Sequence, residues 1–215
     1  MRNYSRPRSL LLDILFFPIG CLIQTPLILL ILAIGALAVF YLSQGGAFIS
    51  FGSVRPNFKD YQINENYTHI QRSDGDYWTI SYEKPDYSVF SGLVRYFAED
   101  HEGNFPLLTH DILVTSGDFS NPAIVRTDVY EHHFTWSSPN NGHPQGTINL
   151  LHTVPLNEDI YQQLLLVKDG EQVTISGPEI LRIDAYQPDG KLIAWWQDSG
   201  CNSMVVTAVQ IQPKP

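Results

Sequence analysis

The chain has 215 residues and carries 22 acidic against 13 basic side chains, for a net charge of −9 at pH 7. So acidic a surface repels a phosphate backbone, and the charge therefore excludes nucleic acid as a partner. The two cysteines, Cys21 and Cys201, are too few for a disulfide framework. The composition predicts one ordinary domain without disulfides.

The first predicted element is a transmembrane helix at residues 22–43. The sequence has no Asp, Glu, Lys, Arg or His between Asp13 and Arg55, and residues 26–42 carry no strongly polar side chain. About 20 helical residues cross the hydrocarbon core of a bilayer. Three arginines precede the run and none follows it before Arg55. The positive-inside rule therefore places the N-terminus in the cytoplasm and the C-terminal part outside the cytoplasm.

The predicted helix divides the chain into four parts. Residues 1–21 form a cytoplasmic or interfacial segment, in which Phe16 and Phe17 are candidates for an interface with a neighbouring membrane subunit. After the membrane helix, the Gly- and Ser-containing residues 44–57 form a short tether. Residues 58–215 form an extracytoplasmic domain that lies close to the membrane surface. The predicted location is the cell membrane, with the bilayer and a membrane-protein complex as partners.

The pattern of the outer domain is mainly β. Short runs rich in aromatic and β-branched residues, separated by turn residues, predict strands at 61–72, 77–83, 87–97, 110–117, 124–136 (two pieces), 147–154, 172–182, 191–197 and 204–211. A single helix is predicted after the N-cap residue Asn157, ending near Gly170. The fold class is therefore a small barrel or sandwich with one helix. Glycines at 170 and 177 around an alternating strand favour the OB type of barrel.

The candidate ligands are histidines: His110, His132, His133, His143 and His152. Imidazole nitrogens suit Zn²⁺ or Cu²⁺, and three or four converging ligands make a site. Neighbouring residues of a strand point to opposite faces, so at most one of His132 and His133 joins a given site. These histidines predict a metal site as an alternative to a domain without metal.

Other chemistry has weaker support in the sequence. A thiolate at Cys201 with His152 as its base is the one Cys/His pair that suggests nucleophilic catalysis. The Trp195-Trp196 pair puts one ring on each face of a strand, which makes both rings candidates for an interface. No catalytic or cofactor motif is present, so we expect neither an enzyme nor a cofactor.

Two stretches carry a resemblance. One is His152–Pro155, followed by a helix and then Gly170–Gly177, and the other is the Trp-rich strand that leads to Asp198–Cys201 and a last hydrophobic strand. Both resemble uncharacterised single-pass bacterial membrane proteins with an extracytoplasmic β domain. The sequence departs from their pattern at Asn202, where an acidic residue is expected. The resemblance covers the C-terminal third and implies architecture, not activity.

Two functions follow as hypotheses. The first is a membrane-anchored accessory or scaffold subunit that acts through its β domain without catalysis. The second is an extracytoplasmic binding module that holds a metal ion or small ligand through the clustered histidines.

Overall fold

The computed structural model describes residues 55–99, 103–139, 142–197 and 200–212. The predicted N-terminal segment, the transmembrane helix at residues 22–43 and nearly all of the tether lie outside these ranges. Within them, no helix is long and apolar enough to cross a membrane.

The described chain is mainly β with a single α-helix, which confirms the predicted class. The strands are β1 (Tyr61–Ile63), β2 (His69–Arg72), β3 (Tyr77–Glu99), β4 (His110–Thr115), β5 (Arg126–Tyr130), β6 (His133–Ser137), β7 (Ile148–Pro155), β8 (Gln172–Tyr186), β9 (Leu192–Trp196), β10 (Asn202–Val206) and β11 (Ala208–Gln212). Helix α1 (Glu158–Leu164) lies between β7 and β8, and 3-10 turns occupy Phe58–Asp60 and Gly117–Ser120.

Five of these strands close into a ring. β3 pairs with β4, β4 with β7, β7 with β10 and β10 with β8, and β8 pairs back with β3. Only the pairing of β7 with β10 is parallel among these five. A ring of this order, with a helix between its third and fourth strands, is consistent with an OB-like fold.

Strand β3 is longer than the sequence predicts. It runs through two predicted strands because residues 83–86 bulge out of the pairing with β8 instead of ending it. Pro85 has no N–H to donate, and a bulge is where a ladder tolerates its absence. In the same bulge, Nζ of Lys84 lies 2.8 Å from a carboxylate oxygen of the buried Glu179. The bulge thus allows β3 to pair with β8 on both sides of Pro85.

Where β4, β7 and β10 lie side by side, both faces of the barrel wall are buried. Neighbouring residues of a strand point to opposite sides, so each of these strands contributes to two clusters. One apolar cluster contains Leu151 and Met204 and packs against Leu164 of α1. The other contains Val154 of β7 and Val205 of β10. We call the side of the wall that carries Val154 and Val205 the Val205 face.

Helix α1 begins where the sequence predicts and ends earlier. Asn157 Oδ1 accepts a hydrogen bond from the main-chain N–H of Ile160 at 3.0 Å, as an N-cap residue does. The helix ends at Leu164 rather than near Gly170. Gly170, with φ of +81°, instead donates its N–H to the carbonyl oxygen of Val94 at 2.8 Å and turns the chain into β8.

Candidate functional site

A row of polar side chains crosses three neighbouring strands on the Val205 face. Asp111 of β4 pairs with His152 of β7, and His152 in turn pairs with Ser203 of β10. The three residues are 5%, 2% and 1% exposed. Polar groups at this depth are stable only where they are hydrogen-bonded. Strand register therefore brings a carboxyl, an imidazole and a hydroxyl together in the interior.

A second histidine reaches this row from the hairpin of β5 and β6. Tyr130 pairs with His133, so Glu131 and His132 are the two turn residues. Their φ values are +44° and +63°, as a two-residue type I′ turn requires. Asn-Gly is the favoured sequence there, because the left-handed conformation costs other side chains about 1–2 kcal/mol. The turn nevertheless uses a histidine, and it brings the His132 ring to Asp111.

Asp111 holds both rings, one with each carboxylate oxygen. His152 Nδ1 lies 2.7 Å from Oδ1, and His132 Nδ1 lies 3.0 Å from Oδ2. Burial raises the pKa of this carboxyl, but the hydrogen bonds from His132 and His152 outweigh burial and lower the pKa to about 2. Asp111 is therefore ionised at neutral pH, and each Nδ1 carries a proton and donates it. The carboxylate fixes the tautomer and orientation of both imidazoles.

The two imidazoles line a pocket of about 210 Å³. Its lining consists of Glu131, His132, His133, His152, Trp196, Gln197 and Cys201. The Trp196 ring forms one wall: its centroid lies 5.3 Å from that of His132 and 5.4 Å from that of His152, with both pairs of rings close to perpendicular. Trp196 Nε1 donates to Ser203 Oγ at 2.8 Å, which fixes this wall to β10.

Cys201 lies in the same pocket, immediately before β10. Its Sγ donates to the carbonyl oxygen of His132 at 3.4 Å, and its side chain is half-buried. The β5–β6 turn and the start of β10 are therefore in direct contact.

Asp111, His132 and His152 are residues of the types that bind metal ions. Asp111, His132 and His152 each offer one ligand atom, and these three atoms lie within 4.8 Å of one another. Imidazole nitrogen and carboxylate oxygen are ligands of Zn²⁺ and of related transition metals. The buried negative charge of Asp111 favours a cation beside it.

The structure brings His132 and His152 together out of the five predicted histidines. His110 is adjacent to Asp111 in β4 but faces the other side of the wall. The centroid of its ring lies 5.2 Å from the ring centroid of Phe97 and 5.6 Å from that of Tyr161. His133 lines the pocket but is exposed.

The remaining candidates lie elsewhere. His143 is exposed in the loop before β7. Trp195 is 56% exposed beneath the guanidinium of Arg182, whereas Trp196 belongs to the pocket wall. Phe16 and Phe17 lie outside the described residues.

Sequence reasoning missed Asp111, the residue that organises the site. Asp111 stands next to His110 in the sequence, but its partners are 21 and 41 residues away. The signal that identifies it is the register of β4 against β7, which depends on the folded sheet.

No protein-family model matches the chain, and no curated protein matches it. Among solved structures, the mitochondrial single-stranded DNA-binding protein Rim1 of S. cerevisiae is similar at 12% identity, with 61% of this chain and 95% of that chain covered and a TM-score of 0.28. At that TM-score, the likeness assigns no partner to this chain.

Two predictions are corrected. The exclusion of nucleic acid as a partner rested on net charge alone and is withdrawn. The description as a single-pass membrane protein, with bilayer and membrane complex as partners, is also corrected. The described part is mainly β, and no helix within it is long and apolar enough to cross a membrane.

Proposed function

We propose that this domain binds one divalent transition-metal ion, of the Zn²⁺ type, between His132 and His152. The observation that carries the proposal is the arrangement of the cluster: one buried carboxylate holds two imidazoles in place, and both imidazoles line the same pocket. Nitrogen ligands favour zinc, copper and nickel ions, whereas Mg²⁺ and Ca²⁺ prefer sites made of oxygen alone.

The buried carboxylate suits this role. Asp111 is ionised and holds both rings in one orientation before any ion arrives. In metal sites, a ligating histidine commonly donates its other ring N–H to a carboxylate of this kind. The ion therefore meets rings whose tautomer and direction are already set.

Backbone strain at His132 supports a role beyond folding. A hairpin that needs only a turn gains stability from glycine or asparagine where φ is positive. This turn has Glu131 and His132 at both such positions. Non-glycine residues in this conformation concentrate at functional sites, where their side chains are needed.

The position in the barrel agrees with the proposal by analogy of fold. The cluster lies on β4 and β7, the second and third strands of the ring, and OB folds commonly bind their ligands on that face. The accessory-subunit hypothesis depends on residues outside the described ranges and stays a prediction.

The test is a titration of the purified full chain with Zn²⁺ by isothermal calorimetry. The protein is prepared without a polyhistidine tag, stripped with a chelator, and kept in mild detergent because residues 22–42 are apolar. We expect one Zn²⁺ per chain, and we expect His132→Ala and His152→Ala each to lower the affinity at least about tenfold. His143→Ala, which removes an exposed histidine from the loop before β7, is the matched control and should bind as the parent does.

Two results would overturn the proposal. One is the absence of stoichiometric binding by the parent chain. The other is binding that survives both His132→Ala and His152→Ala, because the ion would then lie elsewhere.

A further inference from the structure

We propose that the thiolate of Cys201 is the third protein ligand of this ion, and that Asp111 acts as the outer partner of both histidines instead of binding the ion directly. This inference rests on the proposed function and names the residue that sets its metal preference. It predicts a site of two nitrogens and one sulfur, which selects thiophilic ions such as Zn²⁺ over Mn²⁺ and Mg²⁺.

The two nitrogens of each imidazole ring have different roles. Nδ1 of His132 and Nδ1 of His152 both donate to Asp111. If these hydrogen bonds persist when the ion is bound, the ion is bound through Nε2, on the opposite edge of each ring. A carboxylate on Nδ1 and a metal on Nε2 is the common arrangement of histidine ligands.

Cys201 lies at the bend immediately before β10, two residues before Ser203, which pairs with His152. Cys201 lines the pocket together with both imidazoles.

Cys201 also contacts the β5–β6 turn directly. Cys201 Sγ lies 3.4 Å from the carbonyl oxygen of His132, so the thiol is within reach of the strained turn. Binding converts the thiol to a metal-bound thiolate and releases its proton to solvent, so that the charge of the ion is partly neutralised inside the pocket.

The volume of the pocket is consistent with such a site. About 210 Å³ holds one ion and several water molecules, since each water occupies about 30 Å³ in the liquid. Three protein ligands leave the fourth position of a tetrahedral ion for water or for an added small ligand.

The test uses Co²⁺ as a spectroscopic substitute for Zn²⁺ on the full chain. A thiolate on Co²⁺ gives a charge-transfer band in the near ultraviolet, whereas imidazole ligands alone give only the weaker visible bands. We expect the parent chain to show the band. The chain has two cysteines, so Cys21→Ser is the matched control and should keep it.

Cys201→Ser should lose the band and bind Co²⁺ at least about tenfold more weakly, while still binding through the two histidines. A parent that binds Co²⁺ without the band would overturn this inference and leave the proposed function standing. A parent that binds no Co²⁺ or Zn²⁺ would overturn both.

A second measurement avoids dependence on the folding of Cys201→Ser. In the Cys21→Ser chain, the rate at which N-ethylmaleimide alkylates Cys201 is measured with and without saturating Zn²⁺. Because the metal-bound thiolate is a poor nucleophile, we expect alkylation to slow at least about tenfold. An unchanged rate at saturating Zn²⁺ would contradict direct ligation.

Discussion

Replacing Asp111 by Asn tests whether the charge of this carboxylate holds the two histidines in place. The folded-state pKa of Asp111 is about 2 against an ordinary value of 3.8. That difference corresponds to about 2 kcal/mol of stability at neutral pH. Because the folded pKa is the lower one, the contribution is complete above pH ~5 and disappears as the pH falls to about 2 and below.

The asparagine amide worsens the loss, because its NH₂ group faces one of the two donating Nδ1 atoms and leaves buried donors without an acceptor. We expect metal-free Asp111→Asn to unfold in urea with a free energy at least about 2 kcal/mol below the parent at pH 7. The difference should shrink by about 2 kcal/mol as the pH is lowered from 5 to 2.

The matched control is Asp128→Asn, which changes an exposed carboxylate on the β5–β6 hairpin, the hairpin whose turn contains His132. It should stay within about 0.5 kcal/mol of the parent. An Asp111→Asn chain as stable as the parent at pH 7 would refute the reasoning. A loss of equal size at pH 7 and pH 2 would also refute it, because packing rather than charge would then be responsible.

Three further substitutions probe the turn and the barrel by urea unfolding. Glu131→Gly should stabilise the metal-free hairpin by up to about 1 kcal/mol, because glycine adopts the positive φ of this position without strain. An unchanged free energy of unfolding would show that Glu131 is not strained. Gly177→Ala should cost about 1–3 kcal/mol because its Cβ would overlap the carbonyl oxygen of Val205 on the neighbouring strand β10; a neutral effect would mean that β8 and β10 separate easily. Tyr67→Phe should cost about 1–2 kcal/mol because the one hydroxyl proton is shared between two main-chain carbonyl oxygens at the end of β7, each 2.7 Å away. Equal stability would show that water replaces the hydroxyl.

Local signals in the sequence were enough for most elements of the fold. The Asp74-Gly75 turn between two aromatic runs predicts the β2–β3 hairpin, and Gly75 indeed has a φ of +97°. Asn157 predicts the start of α1. Such signals act within a few residues, so they predict which segments form strands or a helix. The order in which β3, β4, β7, β8 and β10 close depends on pairing across the chain.

The site shows where local reasoning ends. The sequence treats His132 as a strand residue, because Glu131-His132 lacks the Asn or Gly that marks a tight turn. Asp111 and His152 are 41 residues apart and meet only through strand register. The number of histidines in the sequence thus predicts the residue type, whereas the role of Asp111, which joins two of them, follows only from the pairing of the strands.

Anomalous diffraction from crystals of the full chain grown with Zn²⁺ tests the central claim most directly. Data on both sides of the zinc absorption edge locate the ion without reference to binding heats. We predict one peak per chain in the pocket beside Trp196, about 2.0–2.1 Å from an imidazole nitrogen of both His132 and His152. Peaks confined to exposed histidines such as His133 or His143, or no peak at saturating Zn²⁺, would contradict the proposed metal site.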